Sequence, residues 1–139
     1  MSGLLLHAQK IIFDRLTTEV SATVYDDVPD LPEGQPDENF PYVAIGDDLS
    51  VPWEADDMIG EDITVMFHIW SRYQGKKETK TIMREIFLAL NRQVTALQAL
   101  APSGVVVIDC LHEFSQIFEL GDGATRHGVC RFRLRLVEE

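Results

Sequence analysis

Two long stretches of alternating apolar and polar residues flank the turn Gly121-Asp122-Gly123, and no other feature limits the fold so tightly. Period-two alternation is the signature of a strand with one buried face, and glycine adopts positive φ at little cost, so the segment predicts an antiparallel hairpin. With Leu120 opposite Ala124, a three-residue loop closes it. Cys110, His112 and Phe114 then face Leu134, Phe132 and Cys130, while Asp109 and Glu113 meet Arg135 and Arg131 on the other side. A one-residue slip would destroy both the apolar pattern and the charge pairing. Cys110 and Cys130 sit four residues out of register, about 13 Å at strand rise, against a limit of about 7 Å for a disulfide. Two free thiols are expected. With no other cysteine in the chain, a secreted disulfide scaffold is excluded and a reducing, intracellular setting is expected.

The remaining elements follow from spacing. Leu5, Ala8, Ile12 and Leu16 recur at helical intervals over residues 4–20, with Ser2 as the expected cap. A short extended piece at 22–26 precedes a proline-rich acidic run, 26–41, which can hold neither helix nor sheet. Tyr42 to Asp48 reads as a short strand, and 49–60, containing Pro52, Trp53, Asp56, Asp57 and Gly60, as a second acidic loop. Residues 61–72 read as a strand with Ile63, Val65, Phe67 and Ile69 on one side and Met66, His68 and Trp70 on the other, so both faces should be covered. Ile82, Met83, Ile86, Phe87, Leu90, Val94 and Leu97 form one stripe, predicting a single helix over 76–97 that ends before Pro102-Ser103-Gly104. The order predicts one α+β domain over residues 1–139, a mostly antiparallel sheet with two helices packed on one face.

Charge narrows the function classes. The net charge is −11, which repels phosphate backbones and anionic lipid. A general DNA binder or membrane-surface protein is disfavoured. Residues 1–62 hold 15 acids and two bases, whereas 63–139 hold eight acids and ten bases. Copies could therefore pack with unlike halves together, although solubility alone also explains acid loops. No apolar run approaches the 18 or so residues of a membrane span, and Lys10, Asp14 and Arg15 interrupt the first helix, so neither an anchor nor a signal peptide is expected there.

No residue cluster spells out a reaction. Cys110, His112 and Cys130 could be imagined as a metal site or a nucleophile with its base, but the spacing matches no ligand pattern and their face is apolar. His68, beside Trp70 on a strand, reads as a buried, hydrogen-bonded residue rather than a general base, and His7 and His127 lack a carboxylate at catalytic spacing. Asp26-Asp27, Asp47-Asp48 and Asp56-Asp57 do not build a calcium loop, and Gly46, Gly60 and Gly75 stand alone rather than in a phosphate loop. No metal or cofactor is expected. Lys76, Lys77 and Lys80 oppose the dipole at a helix start, which suits an acidic partner or a phosphate as well as a merely solvated turn. Arg131, Arg133 and Arg135 form a stripe that cross-strand or intersubunit acids would neutralise before DNA could use it.

Several segments taken together resemble a known family. They are Val24-Tyr25-Asp26 with Val28-Pro29, Phe40-Pro41-Tyr42-Val43-Ala44-Ile45-Gly46, and His68-Ile69-Trp70-Ser71-Arg72 followed by Gly75-Lys76. Thr125-Arg126-His127-Gly128-Val129 with Arg131-Phe132-Arg133 completes the set. The pattern resembles the tail completion, or tail terminator, proteins of long-tailed bacteriophages and of related prophage and gene-transfer particles, over nearly the whole chain. The acidic stretch Asp30 to Asn39 is longer than the family's usual link, so contacts carried by that loop do not transfer. The resemblance implies a non-enzymatic virion protein, made in the host bacterial cytoplasm, that forms a six-copy ring on the head-proximal end of the tail tube. There it would stop polymerisation, meet the tube protein and the head connector, and let genomic DNA cross its lumen without specific binding. Trp53, Lys76, Lys77, Lys80, Arg131, Arg133 and Arg135 are the candidate subunit or tail contacts. A head-side connector or stopper is the alternative position, and a small enzyme built on Cys110, His112 and Cys130 the alternative class.

Overall fold

The computed structural model describes residues 3–27 and 32–139. Along the chain run α1 (Leu4–Glu19), β1 (Thr23–Tyr25), two 3-10 turns (Pro32–Gly34 and Asp37–Asn39), β2 (Tyr42–Pro52) and β3 (Ile59–Ser71). Then come α2 (Lys77–Leu90), α3 (Val94–Leu100), β4 (Val105–Glu119) and β5 (Arg126–Glu138). The strands form one sheet ordered β1-β2-β3-β5-β4, in which only β1 pairs in parallel. The α+β class and the mostly antiparallel sheet stand as expected.

One face of the sheet meets the helices. In α1 the buried stripe is Leu4, Ala8, Ile11, Ile12 and Leu16, at the spacing that turns every third or fourth side chain inward; Leu5 is only partly buried, and the expected cap Ser2 lies outside the described residues. Ile63, Val65, Phe67 and Ile69 of β3 are all at most 4% exposed, each contributing about 1.5–3 kcal/mol of burial. Phe67 meets Phe132 of β5 edge-on at 5.8 Å. The opposite face of β3, with Met66, His68 and Trp70, is only half-buried. The expectation that both faces are covered is corrected: among the described residues the helices lie on one face.

The predicted helix over 76–97 is two helices. Arg92 takes a left-handed φ of 60°, a costly conformation for a side chain, and its N–H donates to the Cys110 carbonyl at 2.7 Å. Asn91 Oδ1 accepts from the His112 N–H at 2.9 Å. The break thus places two partners on the outer edge of β4, which outweighs the continuous apolar stripe. Among the described residues three helices, not two, cover the sheet.

The second acidic loop also shrinks. β2 carries on to Pro52 and β3 begins at Ile59, so 49–60 is mostly paired strand with a tight turn at 53–58, where Ala55 and Met58 bridge. β2 reaches that length through an irregularity between Ile45 and Asp48, where the extra residue lets the strand continue past the acids. In the final hairpin, Asp109↔Arg135, Cys110↔Leu134 and His112↔Phe132 match the expected register. A bulge after His112 then shifts it, so Phe114 faces Arg131 instead of Cys130 and lies on the uncovered face with it. The loop becomes four residues, with the Leu120 N–H donating to Thr125 O at 3.0 Å and Gly123 at φ 73°.

Candidate functional site

Without a helix over it, the second face of the sheet is held together by charge and aromatic contacts. Toward the β2–β3 turn, Arg133 grips the Asp62 carboxylate through Nε (2.7 and 2.9 Å) and Nη2. Arg135 lies between Asp62 and Asp109, 3.5 Å from each. Arg131 meets Glu113 at 3.0 Å and lies over the Phe114 ring. The Arg133 hydrogen bond holds the Asp62 carboxyl below its usual range. The arginine stripe is therefore paired within the chain, at Asp109 and Glu113 as the hairpin register suggested and at Asp62, which sequence spacing did not reveal. Trp53, from the turn, is half-buried under Arg135, 5.2 Å from its guanidinium to the ring centre.

At the other end of the same face, His68 is hydrogen-bonded as its place beside Trp70 suggested, to a partner that sequence spacing did not reveal. His68 Nδ1 and His127 Nε2 are 2.7 Å apart, and the His127 ring stacks on Trp70 at 3.8 Å between centres. Burial lowers the pKa of His68, and burial with the neighbouring His68 pushes His127 down to about 4. The pair is uncharged at neutral pH, one ring donating and the other accepting. A Cβ on Gly46 would overlap the His68 ring. The two histidines lie 59 positions apart in sequence, so only the β3–β5 register brings them together.

Arg72 secures the acidic loop. It donates to Gln35 O (2.9 Å), Pro32 O (2.9 Å), Asp37 Oδ1 (2.6 Å) and Thr125 Oγ1 (3.2 Å), and lies 4.1 Å from the centre of the Phe40 ring. The resemblance segment ending in Arg72 therefore ties the 32–40 loop to the β4–β5 turn. Val28-Pro29, and the start of the acidic stretch at Asp30, lie outside the described residues.

Cys110 and Cys130 are on the helix-covered face, unpaired and buried, with both thiols pushed up to about 12 by burial. A thiol held protonated is a poor nucleophile or metal ligand. His112 packs against Phe87 and Phe132, and its Nε2 lies 2.7 Å from Ser115 Oγ. Lys76, Lys77 and Lys80 stand exposed at the start of α2. Lys76 and Lys80, with Arg84, edge a groove of about 570 Å³ between α2 and β4, floored by Met83, Phe87 and Ile117. The structure does not bring these lysines to the arginine stripe.

The family model described as Tail completion protein gp17 matches residues 12–136. The chain belongs to this tail completion family. It is 30% identical over 100 residues to the Tail completion protein gp17 of Bacillus phage SPP1, covering 72% of this chain and 70% of that protein. A chain from the virion of a native gene transfer agent particle shares the fold, with a TM-score of 0.76 over 100% of both chains at 17% identity. A tail completion protein is a structural component of the phage particle and not an enzyme, which sets aside the Cys/His reading.

Proposed function

We propose that this phage tail protein forms a ring, of six copies, at the head-proximal end of the tail tube, where it ends polymerisation and joins tail to head. What supports the reading, beyond family, is the direction of the two hairpins. Pro52↔Glu61 and Ile59↔Glu138 put the β2–β3 turn at one end of the sheet, whereas Tyr42↔Trp70 and Glu119↔Arg126 put the β4–β5 turn and the Arg72-held loop at the other. One domain thus offers two chemically different ends for tube and connector, and lateral edges for neighbouring copies. Trp53 belongs to the first end, Lys76, Lys77 and Lys80 to the flank. Arg131, Arg133 and Arg135 act by keeping the open face rigid. Asp37 and Glu38 lie at one end and Glu54, Asp56 and Asp57 at the other, so a ring carries acid at both rims, which repels DNA crossing it.

Disrupting the gene should leave filled heads beside tails that are unattached or abnormally long, with the wild-type protein remaining on isolated tails. Normal virions from the mutant would refute the reading. Protein found on isolated heads but not on tails would move it to the connector position.

A further inference from the structure

The chain has two unlike lateral edges, each shielded over part of its length. On β4, the helical segment supplies partners at one end: Gln98 Nε2 donates to Val105 O (2.9 Å), Gln98 Oε1 accepts from the Val107 N–H (2.8 Å), and Arg92 and Asn91 bond Cys110 and His112. Beyond His112 the strand runs on through Ser115, Gln116 and Ile117 beside the groove lined by Lys76, Lys80 and Arg84. On the far edge, β1 pairs only with Tyr42–Ala44 of β2. From Asp47 to Val51 the outer edge of β2 has no strand beside it among the described residues, with Leu49 62% and Val51 51% exposed.

We propose that these edges pair between copies: the Asp47–Val51 edge of one subunit adds to the Ser115–Glu119 edge of the next, with Asp47 and Asp48 against Lys76, Lys80 and Arg84. Strand polarity favours it. β2 and β4 run in opposite directions, because three successive antiparallel pairings separate them. Subunits standing in the same orientation therefore bring their edges together antiparallel, and such a head-to-tail contact closes into rings. Edge addition supplies main-chain hydrogen bonds, while the flanking groove selects the side chains. Charge sets which edges can meet, because two acidic β2 edges repel each other and the basic groove accepts one. The free parts of the edges lie at different heights on the sheet, Gln116 level with Ala44 and Leu111 level with Leu49. Neighbouring subunits are accordingly staggered along the strand, as tilted strands in a closed sheet require.

This inference rests on the ring reading and is tested apart from it. Leu49→Cys and Gln116→Cys are combined in one chain and treated with a short bis-maleimide, alone and on purified tail tubes. Within one chain the positions lie on opposite edges, about 14 Å apart across three strand spacings before any axial offset, so cross-links join different subunits. The buried native thiols make the parent chain the control. A ladder of multimers ending at six supports the proposal, with each single variant giving nothing beyond a dimer. Reversing Lys76, Lys80 and Arg84 to Glu should weaken the ladder about tenfold, and adding Asp47→Lys with Asp48→Lys should restore it. Rings seen by electron microscopy without 49–116 cross-links overturn the edge pairing and leave the ring standing. Protein that stays monomeric both free and on tail tubes, with no ladder, overturns both.

Discussion

At the scale of single residues, the least expected feature is the neutral histidine pair. Both rings have folded pKa values below the ordinary 6.5, His127 at about 4. The unfolded chain therefore binds protons more readily than the folded one as pH drops. The pair's contribution to stability is complete above about pH 6.5 and is lost as pH falls toward 4. Thermal unfolding from pH 7 to pH 4 should show a falling midpoint, flattened in His127→Phe, and the His127 ring should titrate near 4 by NMR. Gly46 is small because the His68 ring occupies the space a side chain would take. Gly46→Ala should cost about 1–3 kcal/mol in denaturant unfolding by displacing that ring, and an unchanged midpoint would contradict the packing described.

Secondary elements are joined by a few polar side chains, several of whose partners are backbone atoms. Arg72 bonds two loop carbonyls, Asp37 and Thr125, so Arg72→Ala should destabilise the chain by about 1–3 kcal/mol and speed amide exchange across 32–40. Arg72→Lys should not restore protection, because an ammonium lacks the planar fork and the stacking on Phe40. Gln98 occupies both a donor and an acceptor of the β4 edge. Gln98→Ala should therefore cost about 1 kcal/mol and raise aggregation seen by light scattering, since an uncovered edge pairs indiscriminately. The same edge explains why α2 and α3 are separate. The apolar stripe from Ile82 to Leu97 carries no sign of a break, and the bonds that repay it are to Cys110 and His112, far along the chain.

For the whole molecule, charge is arranged by fold more than by sequence order. The acidic half of the chain supplies loops to both ends of the sheet and the outer edge of β2, while the basic residues of α2 flank the opposite edge. Assembly driven by unlike edges should be sensitive to salt. Raising ionic strength from about 0.1 M to about 1 M shortens the screening length from about 10 Å to about 3 Å. Sedimentation should then show the proposed rings giving way to smaller species, and an assembly indifferent to salt would contradict a contact set by charge.

Local periods are enough to read the α+β class, the first helix and the unpaired thiols, and the alternation of apolar and charged residues sets the hairpin register from Asp109 to His112, where the bulge after His112 offsets the extra loop residue. The resemblance segments likewise pointed to the family that the chain belongs to. The break at Arg92, the extension of β2 and β3 through an acidic stretch, the shift of Phe114 to the open face, the Arg72 clamp and the His68–His127 pair arise in three dimensions alone. Each of these depends on a hydrogen bond or packing contact between residues far apart in sequence. Periodicity records which side chains are apolar, and not which backbone groups remain to be satisfied once the sheet has formed.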